Sequence, residues 1–327
     1  MAERWSPDHL RLHRSLRRRP TLLPAGATLL LAISGGQDSM ALLALLQDLQ
    51  RLYDWTLQLW HGDHGLRPDS ARQAAELAAW VRAQALPLTL DTWVDPRPDE
   101  AAARHWRYAR LVERATALGA SHVLTGHTAS DRAETLLLLL ARGSHRRGLA
   151  SLQRSRPLAA NLQLVRPLLV FSRDDTGRLC RQLDLPVWLD ASNDSSDYSR
   201  NRIRREVLPV LEALHPGADR RLCALSERLA EEEQAIAELA ELALPSLQCG
   251  DGLKRRMLLA LAPANRRRLL HRWLEQGGVR DLGAEALETL LAHLEPQRGP
   301  GQRQLAGGLT LHWDRQQLWL TLRQQPT

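Results

Sequence analysis

Over its first two thirds the chain alternates short apolar runs with amphipathic stretches, and this alternation restricts the fold more than any other feature. Runs at Thr28–Ile33, Thr56–His61, Leu88–Trp93 and His122–Thr125 predict strands. Between and after them, Asp38–Leu52, Ser70–Gln84, Glu100–Leu118 and Asp131–Ala141 carry helical periodicity. Leu29-Leu30-Leu31-Ala32-Ile33 is apolar at every position, so that strand must be buried on both faces. The fold class is therefore α/β, a doubly wound parallel sheet whose ligand sits at the carboxyl ends of the strands. With 327 residues there is room for about two domains, and the pattern changes after Pro216. Residues 1–216 are expected to form the sheet domain. Residues 217–327 are expected to form a smaller, mainly helical domain: a helix over Leu222–Leu244, a break at Pro245 and Cys249–Gly252, a second helical region between Pro263 and Gly277, and a short β element near the end.

The hexapeptide Ser34-Gly35-Gly36-Gln37-Asp38-Ser39 lies directly after the first strand and opens the first amphipathic helix. Its glycines let the backbone turn tightly and approach a ligand. The free N–H groups of the helix start, with the Ser34 and Ser39 hydroxyls, predict an anion cradle. An acidic Asp38 inside such a cradle calls for a cation between it and the phosphates, and magnesium suits that position. Of 44 basic residues, 44 − 1 = 43 are arginine, and the single lysine, Lys254, precedes Arg255. The chain therefore lacks the lysine-bearing GxxxxGK[ST] phosphate loop, which excludes Walker-type NTPases.

This hexapeptide resembles the SGGxDS loop of the N-type ATP pyrophosphatases (PP-loop enzymes). Further motifs follow in order: Asp63-His64-Gly65-Leu66-Arg67, Ala103-Arg104-His105-Trp106-Arg107-Tyr108, Thr125-Gly126-His127 running on to Asp131 and Glu134, Arg142-Gly143-Ser144, Arg166-Pro167-Leu168, Asp190-Ala191-Ser192-Asn193 and Tyr198-Ser199-Arg200-Asn201 through Arg204. As a set spanning about residues 25–215 they resemble the tRNA(Ile)-lysidine synthetase family. The resemblance implies an adenine nucleotide alpha hydrolase-like sheet. It also implies a two-step reaction with ATP and Mg2+: adenylation of the wobble cytidine of tRNA(Ile) with a CAU anticodon, then attack by the side-chain amine of free L-lysine. It raises a homodimer as an assembly.

The resemblance assigns Ser34, Gly35, Gly36, Gln37, Asp38 and Ser39 to ATP, with Asp38 as metal ligand. Asp131 and Glu134, at i and i+3 near a helix start, share one face and could hold the lysine ammonium, one of them accepting its proton. His127 is expected at a phosphate or the substrate. Arg104 and Arg107, again i and i+3, suit bidentate phosphate binding on the adenylate or nucleic-acid side of the cleft. Arg200, Asn201 and Arg204 match positions that close the site or touch tRNA.

The net charge of +7 suits a polyanionic partner. Nine arginines between residues 142 and 181 stand against Asp174 and Asp175, and seven basic residues between 254 and 272 have no acid among them, so each stretch carries a local +7 and is expected to contact RNA. His145-Arg146-Arg147 departs from the family's small, apolar stretch, and the chain is shorter than members with two additional C-terminal modules. Two rivals are a tRNA-thiolating PP-loop enzyme, disfavoured by the isolated Cys180, Cys223 and Cys249, and a silent RNA-binding relative, disfavoured by the intact Asp38, Asp131 and Glu134. The N-terminus has no apolar signal-peptide core and no run is of membrane-spanning length, so a cytoplasmic protein is expected.

Overall fold

A computed structural model of the chain describes residues 5–66, 68–97, 99–188, 199–280 and 282–322. Arg67, Asp190–Asn193 and Tyr198 of the motifs above lie outside the described residues. The chain divides into two compact units, Met1–Ala230 and Glu231–Thr327.

The first unit is built on a six-stranded sheet: β1 (Thr28–Ala32), β2 (Thr56–Asp63), β3 (Leu88–Thr92), β4 (His122–Leu124), β5 (Ser155–Ala159) and β6 (Leu162–Val165). The order is β3-β2-β1-β4-β6-β5. All neighbours are parallel except the β5/β6 hairpin at one edge. Leu29, Leu30 and Leu31 are all 0% exposed, and they divide between two apolar layers. Leu29 and Leu31 pack with helix α1 (Pro7–Arg17) and helix α2 (Gln37–Tyr53), while Leu30 packs with Trp60, Val123 and Leu111 of helix α4 (Glu100–Ala117). Helix α3 (Ser70–Ala83) adds Leu77 and Val81 to the first layer. A strand clad on both faces is what an uninterrupted apolar run requires.

Strand order reverses between β1 and β4, where the connections from their carboxyl ends diverge and leave a crevice. The loop after β1 enters α2 and the loop after β4 enters helix α5 (Ala129–Ala141), so the two richest motifs meet there. After the single turn α6 (Arg146–Leu149), which His145 precedes without a side-chain capping bond, and the hairpin, helix α7 (Arg173–Gln182) returns to pack against α2 through Leu179 and Cys180.

A helix over Ala218–Leu247 begins in the first unit and ends in the second. The expected division after Pro216 falls earlier than the observed one because the first turns of this helix are fastened to the sheet domain. Ser130 donates to Asp219, Arg132 to Ser226 and Arg154 to Glu227. Pro245 does not end the helix, contrary to expectation: the helix runs two residues past it, to Leu247, so the loss of the Pro245 N–H bond is confined to the last turn.

The second unit also has more strand than the short β element expected. Five antiparallel strands run in the order Gln248–Cys249, Gly252–Lys254, Gln317–Leu322, Leu309–Trp313, Gly301–Gln304. The first pair turns at Gly250, whose φ of +57° suits glycine. This sheet shares an apolar core with Leu270 and Trp273 of the Pro263–Gln276 helix and Leu290 of the Ala284–His293 helix.

Candidate active site

The β1–α2 loop is held open by its own serines. Ser34 donates its N–H to Ser39 Oγ at 3.2 Å, Gly36 donates to Ser34 Oγ at 3.3 Å, and the Ser39 hydroxyl donates to the Gly36 carbonyl at 2.8 Å. Gly35 has φ +81°, and a Cβ there would lie 3.1 Å from the Trp188 ring. Trp188 also donates its backbone N–H to the Gly35 carbonyl at 3.0 Å. Gly36 is the N-cap of α2 and offers no side chain to the first helical N–H groups. That leaves an unsatisfied positive helix end facing the crevice, the arrangement that binds phosphate. The Gln37 side chain faces away, donating to the Arg173 carbonyl at 2.7 Å and to Thr176 Oγ1 at 3.1 Å.

The other wall comes from β4 and α5. A Cβ on Gly126 would lie 3.0 Å from the carbonyl group of Asp38 and from the Ser39 nitrogen, so glycine is what lets the two loops touch. Thr128 caps α5 in a reciprocal box: Asp131 Oδ2 accepts from the Thr128 N–H at 2.7 Å and hydroxyl at 2.9 Å. His127 Nδ1 is 2.9 Å from Thr125 Oγ1. Burial keeps the His127 imidazole well below its ordinary pKa, hence neutral at pH 7.

Asp38 and Asp131 face one another across this crevice. Burial first and the Asp131 charge second push the Asp38 carboxyl up to about 6. Arg173 at 3.0 Å and the Thr176 hydroxyl at 2.5 Å, both from α7, offset part of that rise. Asp131 stays below the usual carboxylate range although burial opposes it, because the neighbouring His127 first, then Arg200 and the Thr128 donors, favour the charged form.

Arg200 donates to Glu134 Oε2 at 2.7 Å and to Asp131 Oδ1 at 2.9 Å. Arg204 donates to Glu134 Oε1 at 2.6 Å and Oε2 at 3.0 Å. The backbone at Ile203–Val207 makes a π turn between two helical segments, a local widening common at functional sites. Asn201, beside Arg200, is buried. The pair expected to hold an ammonium is therefore already neutralised by two guanidiniums from the expected closing segment.

Of the other expected residues, Arg107 lies close enough to His127 and His64 to act on both electrostatically, and its Nε is buried without a partner. Arg104, on the same helix, stacks 4.9 Å over the Tyr108 ring. Part of the charge in the two basic stretches is paired with acids inside the protein. In the first, Arg154 pairs with Glu227, Arg173 with Asp38 and Arg178 with Asp8 and Asp175. In the second, Arg266, Arg267, Arg268 and Arg272 pair with Glu295, Glu288, Glu233 and Glu241. Arg255, 3% exposed, donates to the carbonyls of Leu294, Asp314, Glu295 and Arg298. Apart from Asp175, these acids lie outside the two stretches, which a local charge count overlooks.

Sequence reasoning passed over Arg173, Thr176 and Trp188. The first two had a signal: Ser172 and Asp175 spell a capping box, which starts α7 and aims its first turn at Asp38.

A strand-end anion cradle at the reversal point of such a sheet defines a nucleotide enzyme of the PP-loop class. Consistent with this, the family model of the PP-loop domain matches residues 12–211, and that of the TilS substrate binding domain matches residues 253–319. The chain is 52% identical over 318 residues to a tRNA(Ile)-lysidine synthase of Parasynechococcus marenigrum, covering 96% of this chain and 94% of the relative. It is 42% identical to that of Prochlorococcus marinus (97% and 96% covered) and 41% to that of Gloeobacter violaceus (89% and 90%). The chain belongs to the tRNA(Ile)-lysidine synthase family. Among solved structures, a U34-tRNA thiolase of Methanococcus maripaludis shares the fold, with a TM-score of 0.59 at 16% identity over 68% of this chain and 77% of that one. In the present chain Cys180 and Cys223 are buried in separate apolar clusters and Cys249 is exposed in the second unit. No helix among the described residues is long and apolar enough to cross a membrane.

Proposed function

We propose that the chain joins free L-lysine to the wobble cytidine of tRNA(Ile) bearing a CAU anticodon, using ATP, in the cytoplasm. The ring carbonyl oxygen of the cytidine attacks the α-phosphorus of ATP and diphosphate leaves. The lysine side-chain amine then attacks the activated carbon, and the oxygen departs with AMP, leaving lysidine.

The observation that carries this reading is the meeting, in one crevice, of an anion cradle with a charge-balanced cluster of two carboxylates and two guanidiniums. Free lysine brings two ammoniums and one carboxylate. Asp131 and Glu134 complement the ammoniums, and Arg200 and Arg204 complement the carboxylate. Binding then exchanges internal ion pairs for pairs with substrate, so no buried charge is left alone.

The loop N–H groups and the Ser34 and Ser39 hydroxyls bind the phosphates. Asp38 fits a magnesium site made of one protein carboxylate plus phosphate oxygens. Burial first and the facing Asp131 second disfavour its charged form, which a bound cation would favour, and no cluster of three or more metal-ligating side chains occurs among the described residues. Magnesium bound there would neutralise the phosphates and the leaving diphosphate. Neutral His127 is placed to contact the substrate without repelling its ammonium.

Incubation with ATP, magnesium and CAU-anticodon tRNA(Ile), with lysine left out, tests the first step. Diphosphate release that requires this tRNA supports the assignment, and release indifferent to the tRNA overturns it.

A further inference from the structure

Four guanidiniums gather around one phenol at the β6 side of the sheet. Arg104 lies 4.9 Å and Arg156 5.1 Å from the Tyr108 ring centroid. Arg166 acts on the same phenol, and Arg107 stands one turn along α4 from Arg104. None of the four forms an ion pair with a carboxylate among the described residues, whereas most other arginines named above do. The acid Glu100 acts on Arg107, but more weakly than Arg104 does.

Arg166 is 2% exposed and gives one donor to the Gln153 carbonyl at 2.5 Å. Its Nε, like that of Arg107, is buried with no partner. Burial and the adjoining Arg156 and Arg104 push its pKa down to about 10, so it remains charged at neutral pH. Packing like charges together in a half-buried place is unfavourable unless an anion completes the set.

We propose that Arg104 and Arg156, gathered by Tyr108 and backed by the buried charge of Arg166, bind the phosphodiester backbone of the RNA substrate beside the reacting base. This rests on the reading of the chain as a tRNA-modifying enzyme. The triphosphate of ATP has its own cradle at β1. Arg156 is on β5, three strand spacings or roughly 14 Å away across the sheet. A row of phosphodiesters reaches that far, and guanidinium forks match phosphate oxygens two at a time. Tyr108 is a positioning residue here, since its ring and hydroxyl keep the guanidiniums together.

The test is the affinity of the full chain for a CAU anticodon stem-loop RNA, measured by fluorescence anisotropy across a salt series. Arg156 is half-buried on an edge strand and Arg104 is exposed, so Arg156→Gln and Arg104→Gln should fold. Each is expected to weaken binding about 10-fold and to lower the slope of log K against log salt by about 0.7–0.9. Arg156→Lys should restore the slope, which a purely structural role would not require. In Arg156→Gln the KM for ATP should stay unchanged. Unaltered affinity and slope in both glutamine variants would overturn the proposal, as would a raised KM for ATP with an unaltered RNA slope. If the unmodified chain fails to transfer lysine while RNA binding still depends on Arg156, the catalytic reading falls and this one stands.

Discussion

Arg204 Nε lies 2.6 Å from Glu134 Oε1, and Glu134 is 1% exposed, so the carboxylate that the family pattern assigns to lysine is held inside the protein as an ion pair. A buried carboxylate of this kind must always have a cationic partner. In the proposed reaction that partner changes from arginine to lysine as the substrate binds.

Glu134→Gln keeps the shape of the side chain and removes the charge. The expected result is at least a 100-fold loss in kcat/KM for lysine, with tRNA-dependent diphosphate release retained. Steady-state assays with labelled lysine and with labelled ATP separate the two. Equal loss of both would make Glu134 a folding residue only.

Asp38 gives a pH signature in the protein without nucleotide or metal. Its carboxyl is raised from about 3.8 to about 6, so between those values the folded chain holds a proton that the unfolded chain has released. The stabilisation is complete below the lower value and is lost as pH rises through the upper one. Asp38→Asn should therefore gain on the unmodified chain by about 2–3 kcal/mol between pH 4 and pH 7.5. Urea unfolding at the two pH values checks this, and diphosphate release should vanish in the same variant.

Asp175 behaves in the opposite sense. Burial disfavours its charge, but the Ser172 N–H and the guanidiniums of Arg11 and Arg220 hold it well below the usual carboxylate range. Its contribution is present above about pH 4 and is lost as pH falls toward its depressed folded value. Asp175→Asn should cost about 3–5 kcal/mol at pH 7, because three arginines lose their shared acid. The deficit should shrink in acid, and a deficit constant with pH would contradict the assignment.

Gly126→Ala tests the contact between the two motif loops. The added methyl meets backbone, which cannot swing aside as a side chain can. The KM for ATP should rise at least 10-fold while thermal stability changes by only a few degrees. An unchanged KM would show that the loops tolerate separation.

The central sheet was legible because its signal is local. Leu29–Ile33 and the hexapeptide that follows fix a strand, a turn and a helix start within a dozen residues, and the observed bounds, Thr28–Ala32 and Gln37–Tyr53, differ from expectation by about one residue. What escaped notice depends on partners far along the chain. The β5/β6 hairpin is short and lies at an edge, α1 is masked by its many arginines although Ser6 and Pro7 mark its start, and the acids that neutralise Arg154, Arg268 and Arg272 come from other helices. At the site, Asp38, Asp131 and Glu134 could be read as one constellation from their motifs. That Arg200 and Arg204 would occupy the two carboxylates could not, because it depends on a helix some 66 residues away folding back onto α5.

Lysine transfer itself is decided by one measurement: incorporation of radiolabelled lysine into unmodified CAU-anticodon tRNA(Ile) in the presence of ATP and magnesium. The expected result is label in the tRNA, with AMP and diphosphate formed in equal amounts, and none without ATP. ATP-dependent tRNA turnover with no lysine incorporated would contradict the proposed function.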